Sequence, residues 1–507
     1  MPKYTYHILI LSSFLIFASC QDDDFDYVTQ TSVSEFLTSD YSIQLNPHGK
    51  NPLTAKINFT TSEEIEIEAT VLGDFVIDNG TYEASENHSI EILGLYPDAE
   101  NRVLLTYTTV DEKFAKDTVL IMTEALPEYL PEVDIVTHDA RNDELTLAEF
   151  SLGNNGVFET QPFIIDPNGD IRWYLDLTTL GGWTSPFKRL RNGNLLFSRA
   201  GSIYEYSWYG EELNEWTLPG YLQHHEIVER ENGNFIVAVD KVGLSTVEDH
   251  IIELDRNSGD IIKEWDFRQI LDVDRFDLVE DEVDWFHMNA IAFDESDQSL
   301  IVSGRNQGVV KVSYNNELIW ILAPHQGWGK AGLDGTAYET SDYLLTAVNS
   351  SGNPYPQNIQ DGRDETLDFN WVWGQHAPMI LENGNILIYD NGFNRRFTGE
   401  TLYSRGVEYA IDEDAMTVQE IWQYGRERGA DFYSPIISDV DVNSRGNRVI
   451  TSGIVNTAEG PQSIITEVDE GKNVIYEIKL SFKNQFSDGT ITWGNLDLCY
   501  RSEQISF

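Results

Sequence analysis

From about Ile135 onward the sequence keeps returning to two short phrases, and nothing else in it restricts the fold so strongly. One phrase is an acidic or Gly-containing turn followed by a strand that ends in Trp. It occurs as NGDIRW at Trp173, EELNEW at Trp216, SGDIIKEW at Trp265, NNELIW at Trp320 and TVQEIW at Trp422. GKNVIYE is a sixth, weaker copy with Tyr476 in the Trp place. The other phrase is a tight turn feeding an apolar strand: RNGNLLFS, ENGNFIVAV, SDQSLIVSG, ENGNILIYD and SRGNRVITSG. Asn-Gly suits a two-residue hairpin turn, which needs positive φ. Copies recurring at roughly 40–55 residues predict six blades of four strands, a six-bladed β-propeller over 135–507. Pro324–Asp368 is inserted between Trp320 and Trp422, and a long loop of this kind is expected at the rim of a propeller's central cavity.

Upstream, TAKINFTT, EIEIEATVLG, HSIEILGL and RVLLTYTTV alternate apolar and polar residues at period two, with turn residues between them. They predict a small N-terminal β-sandwich over 37–125. EALPEYLPEVD, with two prolines, reads as a linker that closes over 126–134. The chain is therefore expected to be all-β, and its 12% aromatic content suits pleated surfaces. The first residues are set apart from the fold. Lys3, the apolar run HILILSSFLIF and the small residues before Cys20 have the order of a lipoprotein signal peptide over 1–19. Cys20 would carry the lipid, QDDDFD would begin an acidic tether over 20–36, and the protein would be an exported lipoprotein of the outer membrane, on its periplasmic side or at the cell surface. With Cys20 so used, only Cys499 remains, and no intramolecular disulfide is expected.

The charge excludes one class of partner. Against 85 acidic residues stand 33 basic ones, a net of −52. Nucleic-acid binding needs clustered Lys and Arg to displace counterions, so no nucleic-acid partner is expected. An anionic substrate would be repelled at long range, so a site for one must be a local cationic pocket inside an acidic shell.

Seven of the ten histidines fall in the repeat region, and three of them introduce an apolar strand and its turn. His225 does so in QHHEIVERENGNFIV, His287 in DWFHMNAIAFDESDQSLIVSG and His376 in WVWGQHAPMILENGNILIYDNG. Equivalent positions of successive repeats lie at equivalent radii, so the three side chains are expected to converge on the axis. Three imidazoles could also face a zinc or iron ion. No carboxylate has clear ligand spacing with the histidines, and Arg305, which the family resemblance given next implies in the same pocket, would repel such a cation. No metal or cofactor is therefore expected. Trp285, Trp371, Trp373 and Tyr433 suit a planar ligand but are expected in the core, and Asp390–Gly392 is expected as a structural turn.

These strings, with WILAPHQGWGK and QYGRERGADFYSP, resemble successive signatures of the bacterial arylsulfate sulfotransferase family, in the same order and over most of residues 40–500. That resemblance implies an enzyme that moves a sulfuryl group from a phenolic sulfate donor to a phenolic acceptor without a nucleotide. By motif, His376 would be the nucleophile that becomes sulfated. His287 and His225 would supply acid and base, and Arg305 and Asn289 would stabilise the sulfuryl oxygens. It also implies a homodimer. Two departures stand out: Ile437 replaces a hydroxyl residue after the SP of that motif, and the cysteine pair of the enteric enzymes is absent from the insertion. An aryl sulfatase using the same histidine, and a surface-anchored propeller that only binds sulfated ligands, are the alternative readings.

Overall fold

A computed structural model of the chain describes residues 30–506 other than 112, 140–142, 155, 277 and 484–493. The expected signal segment, Cys20 and the tether as far as residue 29 lie outside the described residues. No helix among the described residues is long and apolar enough to cross a membrane. The chain is nearly all β, in seven sheets built mostly of antiparallel pairs.

The first sheet comprises Ser42–Leu45, Ala55–Leu72, Ile77–Ile92, Glu100–Thr109 and Phe114–Met122. The alternation read from the sequence is real: Ile57, Phe59, Ile65, Ile67, Ala69 and Val71 face one core while their neighbours are less buried. The five strands share one hydrogen-bonded ladder, because Ala55–Leu72 changes partners along its length. It pairs with Ser42–Leu45 at its start and with Glu100–Thr109 near its end, and its register with Ile77–Ile92 breaks between Thr60 and Ile65.

Six further sheets follow. In sequence order their core strands are Leu145–Asn154, Val157–Thr160, Phe163–Ile165 and Ile171–Tyr174; Lys188–Arg189, Leu195–Arg199, Ser202–Tyr206 and Glu212–Thr217; and Tyr221–Glu229, Phe235–Lys241, His250–Leu254 and Ile261–Asp266. Then come Met288–Asp294, Ser299–Gly304, Gly308–Ser313 and Leu318–Leu322; His376–Ile380, Ile386–Asp390, Arg405–Asp412 and Thr417–Tyr424; and Asp439–Val442, Arg448–Thr457, Gly460–Val468 and Val474–Ser481. Two distant strands are woven in. Leu498–Ile505 pairs with Leu145–Asn154, and Glu132–His138, which overlaps the expected linker, pairs with Val474–Ser481.

The recurring Trp has a physical reason. Each copy lies in the last core strand of its sheet, and four donate the indole N–H to a turn of the following sheet. Trp173 reaches the Trp208 carbonyl (2.7 Å), Trp216 that of Arg256 (2.8 Å), Trp265 that of Ser313 (3.2 Å), and Trp320 the Glu413 carboxylate (2.9 Å). A buried indole needs an acceptor, so these four staple one sheet to the next, whereas Trp422 Nε1 is buried without a partner among the described residues.

The opening strands Tyr221–Glu229, Met288–Asp294, His376–Ile380, Asp439–Val442 and Leu498–Ile505 contact one another in succession. They enclose a cavity of about 620 Å³ to which all six sheets contribute, among them Lys188, Glu226, Ile291, Met379, Asp439 and Arg501. The insertion departs from its expected place. Thr346–Ala347 pairs in parallel with Thr417–Val418 at the edge of the fifth sheet of this series farthest from His376. Leu345, Ala347 and Ile359 pack into the core beside Trp371 and Trp373. Apolar residues in the insertion draw it toward a core. In place of a disulfide, Gln360 bonds both backbone groups of Ala347 (2.9 and 2.8 Å), and the Trp371 indole donates to Ile359 (2.8 Å).

Candidate active site

His225 and His376 sit where an opening strand breaks register, and His287 directly precedes a strand that breaks register at its first pairs. The shifts fall between Gln223 and Ile227, between Met288 and Ala290, and between His376 and Met379. At or directly before each break one non-glycine residue is left-handed: His225 (φ +50°), Ala377 (φ +52°) and, ahead of its strand, His287 (φ +53°). Such a conformation costs about 1–3 kcal/mol, and bulges of this kind re-aim side chains. The result is a cluster. The rings of His225 and His287 are 5.4 Å apart, and the Tyr500 ring lies 6.1 Å from that of His225 and 6.2 Å from that of His376.

His376 is 2% exposed, and its Nδ1 lies 2.7 Å from Asn391 Oδ1. The amide orientation of Asn391 is fixed by two other bonds, since its Nδ2 donates to the carbonyls of Ser434 and Ile437, both at 2.8 Å. Oδ1 must therefore accept, Nδ1 must carry the proton, and the lone pair of His376 is on Nε2. Burial holds this imidazole well below its usual pKa, and the positive charge of Arg305 lowers it further. His376 is a neutral base with one free nitrogen.

The other two imidazoles have carboxylate neighbours. Asp284 Oδ2 lies 2.5 Å from His287 Nδ1. Glu248 Oε2 lies 3.2 Å from that nitrogen and 3.4 Å from His225 Nε2, while His225 Nδ1 is 3.2 Å from the Tyr500 hydroxyl. Burial opposes charge on both members of the Glu248–His225 pair. Their mutual attraction outweighs it, so the pKa of His225 is raised and that of Glu248 is lowered. Asp284 is raised, because burial and the nearby Glu248 charge exceed the help of His287.

Arg305 is half-buried, with its guanidinium carbon 4.5 Å from the centre of the Phe393 ring and its backbone N–H on the His287 carbonyl. Among the described residues its guanidinium makes no ion pair and no hydrogen bond, and Nε is buried without a partner. An unpaired guanidinium in so acidic a chain is a ready anion partner. Asn289 is fully buried and donates from Nδ2 to the carbonyl of Gln375 (2.8 Å), the residue before His376. Ile437 gives its backbone carbonyl to Asn391, while its side chain packs in an apolar cluster with Leu498 and Cys499. Trp285, Trp371 and Trp373 lie in the core. Arg426 and Arg428 are paired with Glu365 and Glu477.

One sequence argument fails. Glu248 with His224 and His225, and Glu248 with Asp284 and His287, bring three donor atoms within 4.8 Å of one another. Carboxylates do accompany the histidines, so spacing gives no argument against a cation, and the charge of Arg305 is the one that remains. The residues missed by the sequence reading are Glu248, Asp284, Asn391 and Tyr500. Asp284 stood inside the quoted DWFHMN string and Asn391 inside the expected DNG turn. Glu248 had no local signal.

The model of the family described as Arylsulfotransferase (ASST) matches residues 107–489, and that of the Arylsulfotransferase Ig-like domain matches 42–124. The chain is 28% identical to the arylsulfate sulfotransferase AssT of Lelliottia amnigena, over 85% of this chain and 87% of that one. It is also 28% identical to the protein of the same name from Escherichia coli O6:H1, over 81% and 84%. Among solved structures, a protein of unknown function from Bacteroides caccae aligns over 72% of this chain and 99% of its own, at 13% identity and a TM-score of 0.42. That structural likeness is too low to carry an argument.

Proposed function

The chain belongs to the arylsulfotransferase family, and from that premise we propose that it transfers a sulfuryl group from an aryl sulfate ester to a phenol in two steps through His376. The observation that carries the reading is the pairing of a neutral imidazole, its lone pair on Nε2, with a guanidinium that no carboxylate of the described residues satisfies. In the first step Nε2 attacks sulfur and the S–O bond to the aryl group breaks. In the second, an acceptor phenol attacks the sulfo-imidazole, the S–N bond breaks and His376 is regenerated. The transition state is taken as loose, with charge spread over three sulfuryl oxygens as in phosphoryl transfer, and Arg305 supplies a preorganised countercharge. Asn289 acts through the Gln375 carbonyl beside the nucleophile. A phenol has a pKa of about 10, so the departing oxygen needs a proton and the attacking one must lose one. His287 suits both tasks, since Nδ1 faces carboxylates and no described residue bonds its Nε2.

The same reading takes 135–507 as a six-bladed propeller behind an N-terminal β-sandwich, supported by six sheets whose strands all reach one cavity. Lipid attachment at Cys20 and an outer-membrane location belong to the proposal as well, and the mass of the mature N-terminal peptide tests them.

The decisive measurement is the intact mass after incubation with 4-nitrophenyl sulfate alone. One added sulfo group is expected, and none in His376→Ala. An unmodified protein that still releases nitrophenol overturns the covalent route. Release at a rate indifferent to added phenol marks a hydrolase.

A further inference from the structure

Two carboxylates stand behind the imidazoles and take no part in the reaction as written above. Asp284 and Glu248 both face His287 Nδ1, at 2.5 and 3.2 Å, and Glu248 also faces His225 Nε2 at 3.4 Å. Glu248 is anchored for this contact. It is left-handed (φ +54°), and its backbone N–H donates to Asp240 (2.7 Å). The two histidines are not equivalent. His225 has a neighbour at both nitrogens, the Tyr500 hydroxyl in a hydrogen bond and Glu248 Oε2 in a charge contact without hydrogen-bond geometry. His287 is engaged at Nδ1 only.

An imidazole that meets a carboxylate at Nδ1 carries a proton there, so Nε2 is the nitrogen left to exchange protons with a ligand. We propose that Asp284 and Glu248 are positioning residues for protonation of the leaving phenol. Asp284 fixes the ring of His287 with Nε2 toward the aryl oxygen. Glu248, shared between His287 and His225, locks the two rings together, so that His225 braces the geometry and takes no substrate proton. The inference rests on the sulfuryl-transfer reading. In the first step the Nε2–H proton of His287 passes to the aryl oxygen as its bond to sulfur breaks. In the second, the acceptor's O–H proton passes to the same nitrogen as its oxygen bonds sulfur and the S–N bond of His376 breaks. Protons balance over the cycle: His287 starts and ends as the imidazolium, and neither carboxylate gains or loses a proton.

Donors graded by leaving group test this on the full chain. A general acid contributes about 10²–10⁴-fold, and most where the leaving group is poor. Asp284→Asn is expected to lower kcat/KM about 100-fold with phenyl sulfate and less than about tenfold with 4-nitrophenyl sulfate, whose departure needs little protonation. Glu248→Gln should show the same pattern more weakly, and Glu248→Asp should restore part of the loss with phenyl sulfate. His225→Asn should lower all donors alike. Equal losses across donors in Asp284→Asn, or a divalent ion bound one per chain and released by Glu248→Gln, would overturn the inference. Thermal melting separates misfolding from chemistry, and Asp284→Glu stands in if the first variant does not fold. If wild-type protein is never sulfated by any donor, the sulfuryl-transfer reading has failed. If it is sulfated and the leaving-group dependence is the same in every variant, only the present inference has failed.

Discussion

Two sides of one histidine cluster use the same side chain in opposite ways. On one side His376 meets an amide: Asn391 orients it, burial and Arg305 keep it neutral, and Nε2 is left with a lone pair. On the other side His225 and His287 meet the carboxylates of Glu248 and Asp284, and the attraction to Glu248 raises the pKa of His225. Both His376 and His225 are buried, and what separates them is the charge at hand, the Arg305 guanidinium against the Glu248 carboxylate. Under the proposed mechanism, roles are set by what each ring touches: environments that push titratable groups apart suit one to be a nucleophile and leave the other side able to handle protons.

Removing the charge that defines the first side should have the largest effect. Arg305→Ala is expected to lower kcat/KM by about 10²–10³-fold, as loss of one oxyanion donor does. Arg305→Lys should recover part of this, because a point charge replaces a planar fork. Steady-state kinetics with one donor and one acceptor decides the matter, and an unchanged Arg305→Ala would dissolve the contrast.

Converting one side into the other is the next test. Asn391→Asp places a carboxylate beside His376, so its pKa should rise and the acid limb of the pH–rate profile should move to higher pH. The variant also loses the donor to Ser434 and Ile437, and should be less stable by about 2 kcal/mol in urea unfolding. An acid limb that stays in place would show that Asn391 does not govern the ring.

The smallest effect is on stability itself. His376 is depressed from its usual value of 6.5, so its contribution is complete above that pH and is lost as pH falls through the folded value. His225 is raised, so its contribution is complete below 6.5 and is lost as pH rises through the folded value. The two sides therefore tilt stability in opposite senses. His376→Asn should flatten the acid side and Glu248→Gln the alkaline side, each by at most about 1.4 kcal/mol per pH unit.

How much of this was legible follows from where each residue lies. His225 and His287 stand in the recurring strand phrases and His376 opens one, so pattern singled these three out, whereas Arg305 was implied only by the family resemblance. The Trp recurrence was equally plain, but its cause, an indole reaching the next sheet, exists only after the sheets are neighbours. Asp390–Gly392 reads as a turn, and Asp390 is indeed buried and ion-paired with Arg395 and Arg405, while Asn391 in the middle orients His376. Glu248 lies in a loop without periodicity. It reaches His225 only because Phe235–Lys241 and His250–Leu254 fold back as a hairpin. The insertion was misplaced because its length was weighed and the apolar content around Leu345 and Ile359 was not.

Tyr500 touches both sides of the cluster, yet it belongs to Leu498–Ile505, and its partner His225 is 275 residues earlier in the chain. The sheets bearing all three histidines are built of strands that precede it and do not pair with it. Until it is laid in, His225 has no hydroxyl at Nδ1 and one edge of Leu145–Asn154 lacks its partner. Chemical competence thus waits on the last piece of the architecture. A chain cut short by a few dozen residues would keep its histidines and lose the contact that joins them, which delays reactivity until folding is nearly done.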